Sequence, residues 1–115
     1  MKGIFEISKG NDGRFMFNLK AANQEVILTS QMYESKQSAQ EGVSSVRENA
    51  VLSDRYEELV GNDGRPYFVL HAANKQVIGR SEMYSSPEAM RKGIQSVKTN
   101  APDAEIRDLS LQAHA

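Results

Sequence analysis

The sequence contains no cysteine. A disulfide framework and a thiolate metal site are both excluded on that ground. Histidine is nearly as scarce, with His71 and His114 the only two. A protein metal site needs three or four converging ligands. No His, Asp and Glu set stands at ligand spacing, so no metal and no cofactor is expected. Charge of one sign is missing too. The net charge is −1, with six basic and six acidic side chains in residues 1–51 and eight and nine in residues 52–115. No whole-molecule field draws nucleic acid or an anionic membrane. No apolar run approaches the roughly 18–20 residues of a membrane span. The opening Met1-Lys2-Gly3-Ile4-Phe5 turns polar at Glu6, without the apolar stretch of a signal peptide. These absences predict a cytoplasmic protein with no membrane attachment.

What the chain has is a duplication. Gly10-Asn11-Asp12-Gly13-Arg14 returns as Gly61-Asn62-Asp63-Gly64-Arg65, 51 residues later. From Phe5 to Ala50, 22 of 46 positions match their partners at that offset. A repeat defines the structural unit and is read before anything else. One unit of about fifty residues buries too little apolar surface to stand alone comfortably. No Gly/Ser/Pro-rich spacer separates the two copies. The expectation is a single domain over residues 1–115, with repeat one at 2–51, repeat two at 54–103, and a C-terminal strand and tail at 104–115.

Each unit reads as three strands and a helix. The first strand is Ile4–Ser8, and Tyr56–Val60 in the second copy. The Gly-Asn-Asp-Gly segment is a hairpin turn, because Gly, Asn and Asp tolerate left-handed backbone. The second strand, Arg14–Lys20, alternates: Phe17 and Leu19 face one way, Met16, Asn18 and Lys20 the other. Its copy sets Phe68 and Leu70 against Tyr67, Val69 and His71. Ala-Ala-Asn turns follow, with Asn23 and Asn74 expected in the left-handed positions. The third strands are Val26–Thr29 and Val77–Arg80. Ser35 and Ser86 read as helix N-caps, and Pro87 suits the first helical position. Helical stripes follow at Ala39, Val43, Val46 and at Met90, Ile94, Val97. Gly42 and Gly93 beside them predict close contact with the sheet or the other helix. Met32-Tyr33 and Met83-Tyr84 are expected to plug the seam between sheet and helix. Glu105–Leu109 resembles another first strand and is expected at the sheet edge. Residues after Ser110 are expected to be loose. The fold class is α+β: two tandem β-β-β-α units forming one antiparallel sheet, with two helices packed on one face and pseudo-two-fold symmetry.

Taken together, Gly-Asn-Asp-Gly-Arg, Phe-x-Leu-x-Ala-Ala-Asn-x-x-Val-Ile, Ser-x-x-Tyr-x-Ser and Gly-x-x-Ser-Val-x-x-Asn-Ala, found at residues 10–50 and 61–101, resemble the YegP-like family. These are small tandem-repeat bacterial proteins without an established function. The resemblance implies a duplicated α+β fold and implies that single-repeat relatives dimerise. It supplies no catalytic residue. Members commonly carry Gly where this chain has Met32 and Met83.

Function is less legible. A nucleophilic triad needs His71 beside a serine and a carboxylate, but the repeated serines read as caps. The preferred reading is a non-enzymatic interaction module, binding a protein or itself through the sheet face or edge. Its binding residues are Met16, Asn18, Lys20, Tyr67, Val69 and His71 on the face away from the helices. Arg14 and Arg65, at the hairpin turns, are candidates for clamping an anion. The alternatives are a single-stranded nucleic-acid binder using Tyr67, His71 and Lys20, and an enzyme with a site between the repeats using Arg14, Arg65 or His71.

Overall fold

A computed structural model describes residues 3–112, and side-chain burial for residues 3–110. The elements are β1 (Ile4–Lys9), β2 (Phe15–Lys20), β3 (Val26–Thr29), α1 (Lys36–Asn49), β4 (Tyr56–Val60), β5 (Pro66–His71), β6 (Val77–Arg80), α2 (Pro87–Asn100) and β7 (Glu105–Asp108). Short 3-10 turns lie at Ser53–Arg55 and Leu109–Gln112. The latter reaches past Ser110 to Gln112; residues 113–115, part of the tail expected to be loose, lie outside the described residues. Among the described residues no helix is long and apolar enough to cross a membrane.

The strands form one seven-stranded sheet in the order β4-β5-β6-β3-β2-β1-β7. Each unit is an antiparallel meander, and the two meanders meet through a single antiparallel pair, Thr29 opposite Arg80. An approximate two-fold axis therefore passes between β3 and β6. The C-terminal β7 breaks this symmetry. It adds to β1 in parallel, with Ile106 beside Phe5 and Arg107 beside Glu6. The sheet is antiparallel across its six repeat strands and mixed overall.

Alternation explains the core. Phe5, Ile7, Phe17, Leu19, Phe68 and Leu70 point to one face and are fully buried beneath the helices, with Val43, Val46, Met90 and Val97 opposite. Each such side chain contributes about 2 kcal/mol by its removal from water. The aromatic packing repeats as well. Phe5 meets Phe17 edge-on at 5.8 Å and Phe17 stacks on Tyr33 at 6.2 Å; Tyr56, Phe68 and Tyr84 copy this at 5.7 and 6.3 Å. Tyr33 and Tyr84 thus fill the seam, whereas Met32 and Met83 stay more than a third exposed. The helical glycines make room for those rings: a Cβ on Gly42 would stand 2.8 Å from Tyr33 Cζ, and one on Gly93 2.6 Å from Tyr84 Cζ. The close partner is a tyrosine from the loop before each helix.

Local signals fix the boundaries. Ser35 Oγ accepts from the Ser38 N–H and Ser86 Oγ from the Ala89 N–H, both at 3.1 Å. Such caps are worth about 1 kcal/mol each. Buried Ser30 and Ser81 accept from the N–H groups of Phe17 and Phe68 at 2.8 and 2.9 Å, locking the chain as it leaves β3 and β6. One local expectation is corrected. The left-handed residues of the Ala-Ala-Asn turns are Gln24 (φ 71°) and Lys75 (φ 72°), one position after Asn23 and Asn74. Each asparagine instead accepts, through Oδ1, the N–H two residues ahead at 3.0 Å. That side-chain turn consumes its local bonding capacity and hands the positive φ to its neighbour.

Candidate functional site

The strand registers align one row of residues across all seven strands: Glu57, Val69, Arg80, Thr29, Asn18, Glu6 and Arg107. This row lies on the face away from the helices. Met16, Asn18, Lys20, Tyr67, Val69 and His71 share that face by alternation. The structure therefore brings six of the eight predicted residues onto one surface. Most are engaged there with one another or with row neighbours. Lys20 Nζ pairs with Glu6 at 2.9 Å. Thr29 Oγ1 donates to Asn18 Oδ1 at 2.8 Å. The Arg80 guanidinium lies 5.6 Å from the centre of the Tyr67 ring. Val69, at 4 % exposed, is closed to a partner.

His71 is bound at both ring nitrogens, Nε2 at 2.8 Å from Glu57 Oε1 and Nδ1 at 2.9 Å from the Lys75 carbonyl. The two contacts fix the ring between β4 and the turn after β5.

Arg14 and Arg65 lie elsewhere. The pseudo-two-fold axis sends the two hairpin turns to opposite ends of the sheet, so the arginines share no clamp. Each is held inside its own turn. Asp12 Oδ1 accepts the Arg14 N–H at 3.0 Å and Oδ2 accepts Nε at 2.8 Å; Asp63 and Arg65 copy this at 3.0 and 2.6 Å. Gly13 and Gly64 supply the turn's left-handed step, with φ of 84° and 82°. The backbone N–H of Arg65, and then its guanidinium, hold the Asp63 carboxyl below the ordinary 3.8. A carboxyl depressed by folding stabilises the turn above the unfolded value, and that contribution fades as pH falls through the folded one. Carbon NMR titration should place both Asp12 and Asp63 below 3.8. Arg65→Ala should raise Asp63 only part of the way, since the backbone N–H remains. An unchanged midpoint would show that the guanidinium does not engage it.

Sequence reasoning missed a second feature, the asymmetry of the two sheet edges. β1 and β4 are repeat mates. β1 is covered by β7, while β4 ends the sheet with its outer side unpaired among the described residues. The Gly61 N–H donates to the Arg65 carbonyl, so Leu59 and Glu57 bond inwards and Glu58 and Tyr56 direct their backbone groups outwards. Tyr56 N–H is taken by the Ser53 carbonyl, which leaves the Glu58 and Val60 N–H groups as the strand's outward donors, Glu58 the central one.

Two cavities flank this edge. On the outer face, one of about 460 Å³ is lined by Arg55, Glu57, His71, Ala72 and Lys75. Its repeat counterpart, lined by Ile4, Glu6, Lys20, Ala21 and Gln24, measures about 130 Å³ because Arg107 of β7 also stands in it. On the helix side, about 270 Å³ opens between Tyr56, Glu58, Arg91, Ile94 and Lys98. In repeat one, β7 and the following 3-10 turn pack beside β1. The sequence signals of the asymmetry are the extra edge strand expected at Glu105–Leu109, which the structure places on β1, and Glu58 where repeat one has the buried Ile7. A separate cavity of about 300 Å³ lies at the β3–β6 seam, against Thr29, Gln31, Val77, Gly79 and Arg80. Among the described residues no group of three or more His, Asp or Glu could hold a metal ion.

Comparison with known proteins agrees with the duplication. The family described as a domain of unknown function (DUF1508) matches twice, at residues 11–57 and 62–108. A UPF0339 protein from Acinetobacter baylyi is 49% identical over 110 residues, 96% of this chain and 99% of the relative. UPF0339 protein YegP from Escherichia coli K12 is 47% identical over 108 residues, 94% of this chain and 98% of the relative. The solution NMR structure of a UPF0339 protein from Shewanella oneidensis superposes with a TM-score of 0.92 at 46% identity, covering 99% of this chain and 97% of that one. That of E. coli YegP gives 0.90 at 46% identity, covering 96% and 95%. With two matched copies and relatives alike over nearly their whole length, this chain belongs to the DUF1508 family, as a tandem-repeat member similar to YegP.

Proposed function

We propose that the protein is a non-enzymatic interaction module of the cytoplasm, which captures an extended segment of a partner protein on β4. The observation that carries this reading is the edge asymmetry: the same strand that β7 completes in repeat one is open in repeat two. Edge strands present unpaired N–H and C=O groups as a template for another strand, and strand addition is a general mode of peptide recognition. The outer face supports the role as a frame. Its long side chains are tied into cross-strand pairs, which hold Glu57 and His71 in place at the edge. The absence of cysteine suits a reducing compartment.

Display of a random peptide library tests the reading. Glu58→Pro removes the central outward N–H of β4 at an edge position where proline is tolerated, so β4 should remain paired with β5. Wild-type protein should select peptides that Glu58→Pro fails to hold, with Tyr67→Ser retaining them. Equal selection by Glu58→Pro would place binding elsewhere, and loss in Tyr67→Ser alone would move it to the sheet face.

A further inference from the structure

The molecule carries its own example of a strand on this kind of edge. β7 runs parallel to β1, with the Glu105 N–H donating to the Gly3 carbonyl at 3.2 Å. Three polar contacts hold it. Arg107 Nη1 reaches Glu6 Oε2 at 3.4 Å. Lys36 Nζ pairs with Asp108 at 2.9 Å. Arg47, whose guanidinium lies 5.6 Å from the Phe5 ring centre, donates to the Ala104 carbonyl.

The 51-residue offset carries these partners onto the open edge. Glu6 becomes Glu57, Phe5 becomes Tyr56, and Arg47 becomes Lys98. Lys98 keeps its mate's position, 5.7 Å from the Tyr56 ring centre, and donates to Ser53 Oγ at 2.7 Å. The trio Lys20–Glu6–Arg107 in repeat one corresponds to His71–Glu57 beside an open cavity in repeat two. Glu6, with cations on both sides, has a side chain 12 % exposed; that of Glu57, with the His71 ring on one side, is 53 % exposed. The carboxylate and the space are both present for a cation.

The differences between the repeats refine the occupant. Ile4, beside Glu105, becomes Arg55, which lies in the 3-10 turn before β4 and is taken up by Asp54 at 3.5 Å and Asn49 Oδ1 at 2.8 Å, so that place sets no charge on the occupant. Ile7, beside Asp108, becomes Glu58, and Lys36 becomes Pro87. An aspartate at that place would lose its partner and meet a like charge.

Resting on the edge capture proposed above, we infer that β4 takes a partner's extended segment running parallel to it, in the register β7 adopts on β1. The segment carries an apolar residue beside Tyr56 and Ile94, an arginine or lysine in the cavity at Glu57, and no acid beside Glu58. The partner is a different chain. Two β4 strands paired antiparallel would bring Glu57 and Glu58 against one another's copies. A second copy's β7 is already held by its own Lys36, Arg47 and Glu6.

The test uses the whole protein, labelled for amide NMR, and synthetic peptides with the sequence of residues 104–110. The first peptide carries Asp108→Ala, and the second carries Asp108→Ala together with Arg107→Ala. The first should bind in the roughly millimolar range, shifting amides of residues 54–60, His71 and Lys98. The second should bind about fivefold more weakly. Glu57→Gln protein should lose that same factor for the first peptide and little for the second. Two peptides of equal affinity on β4 would overturn the arginine register while leaving edge capture standing. Shifts confined to residues 105–108, or peptide-independent self-association through β4, would overturn the inference. No shift with either peptide, together with no library peptide lost in Glu58→Pro, would remove edge capture itself.

Discussion

Exchanging Leu28 and Gly79 between the repeats should cost far less stability than the two single changes added together. The two are repeat mates, and they are also diagonal neighbours across the β3–β6 seam. A Cβ on Gly79 would stand 2.6 Å from Leu28 Cγ. Next to the axis the interior has room for one leucine. Leu28 is fully buried, so Leu28→Gly should cost about 4 kcal/mol through lost burial and a cavity. Gly79→Leu should cost about 2–3 kcal/mol through overpacking. Gly79 has no left-handed backbone that would resist a side chain. In the double variant the leucine enters from the other strand and fills the same volume, so the loss should fall to about 1–2 kcal/mol. Urea unfolding of the four proteins measures this. A double variant as unstable as the sum of the singles would mean that the two sides of the seam are not interchangeable.

Gly93→Ala should destabilise the protein by about 2 kcal/mol, even though alanine favours an exposed helix by about 1 kcal/mol over glycine. The ring of Tyr84 crosses the helix at this position and stacks on buried Phe68. A methyl group would drive the ring off that stack. The nearest atom to the added methyl is the tyrosine oxygen, so Tyr84→Phe in the Gly93→Ala background should recover about half of the loss. Gly42→Ala, facing Tyr33 in the same way, should behave alike. A Gly93→Ala protein with a raised thermal midpoint would show that the tyrosine moves aside freely.

Much of the fold was legible because the duplication writes each signal twice. Phe17-x-Leu19 and Phe68-x-Leu70 marked the buried face, and Ser35 and Ser86 marked the helix starts. The third strands stand where alternation put them. Other features depend on contacts between distant segments and leave little local trace. Nothing near Thr29 or Arg80 announces that they pair, and nothing in Glu105–Asp108 says that the strand runs parallel. The shift of the left-handed step from Asn23 to Gln24 follows from a side-chain turn that competes with the backbone. Of the candidate site, the shared face of Met16, Asn18, Lys20, Tyr67, Val69 and His71 was visible from a period of two. The open edge was not. Which strand ends a sheet is set by strand order: Glu105–Leu109 announced an added edge strand, and only Glu58 in place of Ile7 hinted at which edge it leaves open.

Amide hydrogen exchange at two mated positions tests the account most directly. Ile7 faces β7, and Glu58 faces outwards from β4. In the free protein Ile7 should exchange slowly and Glu58 fast. Adding the residue 104–110 peptide with Asp108→Ala should slow Glu58 and leave Ile7 unchanged. A Glu58 amide already as protected as Ile7 in the monomer, or one that stays fast at saturating peptide, would contradict the open-edge account.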